Sequence, residues 1–330
     1  MSFIIKYGIA SKNIDITQMV FEKCLYNNTL LVIPKGDITR DTLFTDPIEG
    51  TRKCIFVFQN GSVVEYNDDQ EVFIHMSFNV CTNSIPTQIK HYYSSREYTA
   101  IIIEPRVHNA LFFVLHNFLE NLSNNWTFIL FHGNTNIDFI SDMIDTKLVQ
   151  HKHRIRLINI NIDNLSGHEY SSILKTKDIY NYIETDHFLV FQTDTLILKE
   201  NKHMIGDFLQ YDYVGAPWKM DHNVGNGGLS LRRKSKMLEI IDETNKHPIF
   251  EIYGNKFHAS EIHEDIFFSY CKNVDVYKPD FETAKKFSVE TILHLNSFGI
   301  HKPWQYLSPD EWEQLKNAYP EVQQLKDLQF

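Results

Sequence analysis

The stretch Asp186-His187-Phe188-Leu189-Val190-Phe191-Gln192-Thr193-Asp194-Thr195-Leu196-Ile197-Leu198 decides the fold class. Phe188 to Phe191 form an apolar run with β-branched and aromatic bias, the composition of a strand buried on both faces, and such strands belong to parallel sheets. The run stops abruptly at Gln192-Thr193-Asp194. A carboxylate at the edge of an apolar core is costly unless a cation, an N–H cluster or water compensates it. Ligands of open α/β sheets sit there, outside the carboxyl ends of the strands. Asp194 is therefore a candidate ligand-binding group, and an ordinary polar turn after a strand is the plain alternative.

Outward from this strand the chain alternates strands and helices. Thr99 to Ile103, Trp126 to Phe131 and Arg156 to Ile160 read as strands, while residues 109–122, 136–149 and 164–182 carry apolar residues at helical spacing. That order predicts a mostly parallel sheet with crossover helices. Gly225-Asn226-Gly227-Gly228 lacks the third glycine of a dinucleotide fingerprint, and no Walker lysine loop is present, so a dehydrogenase or P-loop enzyme is disfavoured.

Residues 1–97 read differently, as short strand runs at 30–33, 53–58, 62–66 and 71–76 separated by Gly, Pro, Asn and Asp. Asn60-Gly61 predicts a tight hairpin turn, and residues 15–26 look like one amphipathic helix. No clustered acid, base or nucleophile occurs here. The expectation is a β-rich accessory or dimerisation module, and a homodimer.

Composition excludes several classes. A net charge of −10 over 330 residues argues against nucleic acid as a partner, because phosphate backbones need a concentrated basic face. Arg232-Arg233-Lys234 and residues 152–156 are short basic patches, the usual mark of a solvated face. Cys24, Cys54, Cys81 and Cys271 are widely spaced, which suits reduced thiols and argues against a structural zinc. His151 with His153, and His258 with His263, lack the partners a zinc site needs. The N-terminus does not read as a secretory signal, and no apolar run approaches the roughly 20 residues of a membrane span. A cytoplasmic protein is expected.

Chemistry-bearing residues fall in four clusters. Gln192-Thr193-Asp194 is the first. The second runs from Asp212-Tyr213-Val214-Gly215-Ala216-Pro217-Trp218 into Gly225 to Arg232, where glycines would let backbone approach a ligand and Trp218 offers a flat face for a sugar ring. In the third, Glu264-Asp265 open a helix whose N-terminus stabilises negative charge. The fourth holds His294 and then Phe298-Gly299-Ile300-His301-Lys302-Pro303-Trp304, where an imidazole can ligate a divalent ion and a lysine can neutralise a diphosphate. Each also has a plain reading as a loop or a helix's first-turn acids.

These blocks, with Phe191-Gln192-Thr193-Asp194 and Glu264-Asp265-Ile266-Phe267-Phe268 among them, resemble in order the glycosyltransferase-like domain family of bacteria and giant viruses, over residues 98–304. The resemblance implies a GT-A (Rossmann-like) α/β fold at 98–330, preceded by the small β-rich module at 1–97. It implies a nucleotide sugar lying across the strand ends, with Glu104, Arg106, Gln192, Thr193, Trp218, Asn226, Gly227, Gly228 and Lys302 around the donor. Asp194 matches the second, metal-binding aspartate of a D-x-D motif, but Gln192 stands where the first should be. The segment Gly299 to Trp304 is similar to the His-x-x-Gly-x-x-Lys-Pro-Trp ending of glycogenin-like enzymes; Lys302 transfers directly, whereas the metal histidine is His301 or, alternatively, His294. The implied metal is Mn²⁺, with Mg²⁺ second, and Glu264 and Asp265 would orient or deprotonate the acceptor.

The implied reaction moves glucose or galactose from a UDP-sugar to a glycan or glycoprotein, galactosyl-hydroxylysine of a collagen-like protein being one acceptor. A carboxylate base would imply inversion and the Lys-Pro-Trp ending retention. A viral source would place the protein in host cytoplasm or virion. A non-catalytic sugar-binding module and a metal-dependent nucleotidyltransferase are the competing functions.

Overall fold

The computed structural model describes residues 3–26, 30–59, 62–75, 80–82, 97–220 and 222–329. The chain divides into two compact units, Met1–Ser95 and Arg96–Phe330.

In the first unit the described residues form two four-stranded antiparallel sheets. The strands are β1 (Phe3–Ile9), β2 (Lys12–Asp15), β3 (Leu25–Tyr26), β4 (Leu30–Ile33), β5 (Cys54–Gln59), β6 (Ser62–Tyr66), β7 (Val72–His75) and β8 (Val80–Thr82). They pair in the orders β2-β1-β5-β6 and β3-β4-β7-β8. The four strands expected from sequence are present, and β1 and a helix at Asp37–Phe44 join them. The helix expected over 15–26 spans only Thr17–Lys23. Asp15 accepts from the Thr17 amide (2.9 Å) and hydroxyl (2.6 Å), a local turn that delays the helix start, and Leu25-Tyr26 leave it to pair with β4. Strands β5 and β6 pair with Phe58 opposite Val63, as a hairpin requires; the Asn60-Gly61 turn itself lies outside the described residues.

Among the described residues this unit encloses two cations. Lys53 is 1% exposed, with its ammonium 3.1 to 3.2 Å from Asp37, Asp41 and Asp46. Arg40, fully buried, donates to the carbonyls of Pro34, Asn67 and Gln70 and so satisfies loop backbone that no strand pairs.

The second unit has the expected mixed α/β class, with a mostly parallel sheet flanked by helices. Its strands are β9 (Tyr98–Ile103), β10 (Trp126–His132), β11 (Ile155–Asn159), β12 (His187–Val190), β13 (Thr195–Ile197), β14 (Tyr213–Gly215), β15 (Ser230–Arg233), β16 (Ile249–Ile252), β17 (Asn255–His258), β18 (Ser288–Val289) and β19 (Gly299–His301). Six of them make one sheet in the order β11-β10-β9-β12-β15-β14. β11, β10, β9 and β12 run parallel, and β15 and β14 add antiparallel pairs.

Side chains alternate between the two faces with the period of a strand. Ala100, Ile102, Phe128, Leu130, Leu189 and Phe191 pack toward the helices Leu111–Asn121 and Ile137–Thr146. Ile101, Ile103, Ile129, Phe131, Phe188 and Val190 pack toward the helices Gly167–Leu174, Lys234–Lys246 and Glu264–Ser269. β12 is therefore buried on both sides, with Phe191 stacked on Phe118 at 4.0 Å between ring centroids. The helical spacing over 164–182 resolves into the helix Gly167–Leu174, begun by a Ser166/Glu169 capping box, and a 3₁₀ turn at Ile179–Tyr182. A separate three-stranded sheet, β13-β19-β18, follows directly from the end of β12.

Candidate active site

The small sheet determines what stands at the end of β12. β13 pairs antiparallel with β19 so that Thr195 faces His301, and the Lys302 amide donates to the Asp194 carbonyl at 3.0 Å. β18 pairs parallel with β19, Val289 facing Ile300, which brings Glu290 beside His301. Asp194, Glu290, His301 and Lys302 thus come together although separated widely in sequence. Lys302 takes the left-handed conformation at φ 35°, unusual outside glycine, and Pro303 follows it into a 3₁₀ turn.

Together they line an open cleft of about 610 Å³. It is walled by the β9 end at Glu104 and Arg106, by Gln192 and Thr193, by Trp218, by Asn226 to Gly228, and by Glu264 and Asp265. That size suits a bound nucleotide-scale molecule. Every site residue expected from sequence lines it except His294, which sits apart with its Nδ1 3.3 Å from the Ser297 hydroxyl.

His301 is 2% exposed, and its Nε2 stands 3.5 Å from Asp194 Oδ1. Among the described residues neither atom has a hydrogen-bond partner. On the other side of the ring, Nδ1 lies 3.0 Å from Glu290 Oε1, at ion-pair distance but off the N–H direction. Glu290 is itself buried, and its Oε1 accepts from Asn226 Nδ2 at 2.8 Å. Among the described residues no group of three or more His, Cys, Asp or Glu side chains has the arrangement of a metal centre.

The glycines Gly227 and Gly228 have a second role besides lining the cleft. A side-chain carbon on Gly227 would collide with Glu264, and one on Gly228 with His301. Their missing side chains admit these two protein groups as well as forming part of the cleft wall.

Glu264 begins the helix Glu264–Ser269 as predicted, but its Oε2 accepts from Arg232 Nη2 at 2.9 Å. Arg232 is fully buried, bonded through Nε to the Ser230 hydroxyl at 2.9 Å and held over the rings of Tyr213 and Phe268 at 5.1 and 5.4 Å. Burial pushes the Glu264 carboxyl up to about 7, with the Arg232 guanidinium opposing. Burial likewise raises Asp265 above the usual carboxylate range, with the Ile266 amide opposing.

Glu104 is also committed. Both its oxygens accept from the Arg106 guanidinium, at 2.8 and 2.9 Å, which fixes that partly exposed cation at the cleft edge. Trp218 stacks on Tyr270 with centroids 5.8 Å apart.

Sequence inspection missed Glu290, Tyr170, Thr291 and Tyr306 among the lining residues. Glu290 obeys the rule that singled out Asp194, an acid directly after a buried strand. Its strand, Ser288–Val289, is two residues long and gives no periodic signal.

A family described as "Protein of unknown function (DUF5672)" matches residues 154–301. No curated protein matches the chain. Among solved structures the chain is similar to the glycosyltransferase GlyE of Streptococcus pneumoniae TIGR4, at 10% identity and a TM-score of 0.44, over 71% of this chain and 64% of that one. It is similar to HddC of Yersinia pseudotuberculosis at 13% identity and a TM-score of 0.37, over 67% and 99%. Its likeness to the galactosyltransferase LgtC, solved in complex with donor and acceptor sugar analogues, is 11% identity and a TM-score of 0.41, over 70% and 94%. The chain spans about two thirds of the length of GlyE.

Proposed function

We propose that this chain is a metal-dependent GT-A glycosyltransferase that moves a hexose, glucose or galactose, from a UDP-sugar to a glycan or glycoprotein. The acceptor named by the sequence resemblance is galactosyl-hydroxylysine of a collagen-like protein. One observation carries the proposal: Asp194 Oδ1 and His301 Nε2 face each other at 3.5 Å without hydrogen-bond partners among the described residues, at the edge of a nucleotide-sized cleft and beside Lys302.

Buried polar atoms left unpaired are costly, and a cation between them would remove the cost. Two protein ligands fit a divalent ion that completes its shell with substrate phosphates, as Mg²⁺ commonly does, and Mn²⁺ accepts carboxylate and phosphate oxygens equally well. Bound there, the ion would act as a Lewis acid on the leaving diphosphate.

The chain's own groups supply the rest. Lys302 and Arg106 neutralise phosphate charge, Thr193 and Asn226 to Gly228 line the donor side, and Trp218 gives a face for a sugar ring. Asp265 orients the acceptor hydroxyl or takes its proton, a role its raised pKa favours. Glu264, held by Arg232, supports it rather than touching substrate. The Lys-Pro-Trp ending favours retention of anomeric configuration.

A panel of UDP-sugars tested with Mn²⁺ is expected to show UDP release from one hexose donor, accelerated by acceptor. Release of pyrophosphate instead would identify a nucleotidyltransferase, and tight glycan binding with no turnover would identify a binding module. The residues 1–95 are proposed to dimerise the protein, so light scattering should give twice 38.9 kDa; a single species at 38.9 kDa would remove the dimer.

A further inference from the structure

We infer that Glu290 is a positioning residue for the metal ligand His301, and that it fixes which ring nitrogen carries the proton. The inference rests on the metal-dependent function proposed above. A neutral imidazole has one N–H donor and one bare nitrogen, and only the bare nitrogen can ligate a cation. Which is bare depends on what the other meets.

Each ring nitrogen of His301 faces a carboxylate, at different distances. Nδ1 stands 3.0 Å from the Glu290 carboxylate, whereas Nε2 stands 3.5 Å from Asp194 beside the cleft. The Glu290 carboxylate accepts no hydrogen bond from Nδ1, but at 3.0 Å it is the nearer negative charge, so a bare Nδ1 lone pair facing it is disfavoured, the proton is favoured on Nδ1, and Nε2 is left bare toward Asp194. Both Glu290 and His301 are 2% exposed, so water does not compete for either group.

Glu290 is held in turn. Asn226 Nδ2 donates to its Oε1 at 2.8 Å, and Asn226 Oδ1 accepts from the Gly228 amide at 3.0 Å. The same Gly228 lacks the carbon that would collide with the His301 ring. Thr291, the next residue, anchors the segment by donating from its hydroxyl to the Pro217 carbonyl at 3.2 Å. The Gly-Asn-Gly-Gly loop therefore acts on the metal through Glu290 and His301. It also explains how the site manages with Gln192 in place of a second aspartate: the extra negative charge stands behind the histidine, at Glu290.

The test uses the full chain and Mn²⁺, titrated by calorimetry in the presence of UDP. Glu290→Gln should weaken Mn²⁺ binding about 10- to 100-fold, the usual cost of losing such a partner. If Asp194→Ala and His301→Ala both bind Mn²⁺ as wild type does, the metal site itself is wrong and this role falls with it. If those two variants lose Mn²⁺ while Glu290→Gln binds normally, the role of Glu290 alone is overturned.

A second measurement needs no variant to fold differently and no metal. Multiple-bond ¹H–¹⁵N spectra of the metal-free wild type, with His301→Gln to assign the ring, should show His301 protonated on Nδ1. An Nε2-protonated ring there overturns the inference.

Discussion

Replacing Asp194 with alanine should lower Mn²⁺-dependent UDP release by about 10³-fold or more. The estimate follows from losing a metal's stabilisation of the leaving diphosphate, worth several kcal/mol, with about 1.4 kcal/mol for each factor of ten. Folding should be untouched. Asp194 Oδ1 has no hydrogen-bond partner among the described residues, and the link to Lys302 runs through the Asp194 backbone carbonyl, which alanine keeps. Removing an uncompensated carboxylate from a largely buried site is neutral or stabilising. The signature is thus a collapsed rate with an unchanged unfolding midpoint, read by UDP release and thermal denaturation on the same preparation. An Asp194→Ala enzyme at full rate would refute the metal assignment.

The second large effect is on stability. Arg232→Leu should destabilise the second unit by about 3–5 kcal/mol, because it strands the buried Glu264 carboxylate without its partner. At roughly 2–4 °C per kcal/mol for a unit of this size, the midpoint should fall by about 10 °C. The loss should depend on pH. Burial holds the Glu264 carboxyl at about 7 in the folded protein, above its ordinary value of about 4.5. A raised carboxyl pKa favours the neutral form in the fold, so its stabilising contribution is complete below about 4.5 and is lost as pH rises through about 7. Without Arg232 the ionised form is disfavoured further. The variant should therefore lose clearly more stability at pH 8 than at pH 5, by urea denaturation at both. An equal loss would show that Glu264 is not the group responsible.

Much of the second unit was legible because its signals are local. The buried strand Phe188 to Phe191, its abrupt polar end and the alternation of strand and helix patterns each depend on a few consecutive residues. The elements read poorly were those set by side-chain turns or by distant partners. Asp15 shortens the first helix through a local hydrogen bond, and the Ser166 capping box divides the run over 164–182.

At the site, residue types could be read but pairings could not. Glu264-Asp265 look equivalent in sequence, and only the fold shows that Arg232 occupies one of them. Gly227 and Gly228 look like a ligand cradle, and only the fold shows that they also make room for Glu264 and His301. His294 and His301 are both plausible ligands by spacing, and the register of β13 with β19 brings only His301 to Asp194.

That register has a consequence for when the site can exist during folding. Asp194 leaves the central sheet, but its companions Glu290 and His301 are about a hundred residues further along, joined to it through β19. Contacts so distant in sequence are slow to close. The parallel strands β9 to β12 can assemble from an earlier, continuous stretch of chain, while the pairing of Asp194 with His301 waits until β18 and β19 have been made. Even then, Gln329 must arrive to donate its side-chain amide to the Thr193 carbonyl at 2.8 Å. During synthesis the sheet comes before the cleft, and a nascent chain long enough to fold its core has yet to bring His301 to Asp194.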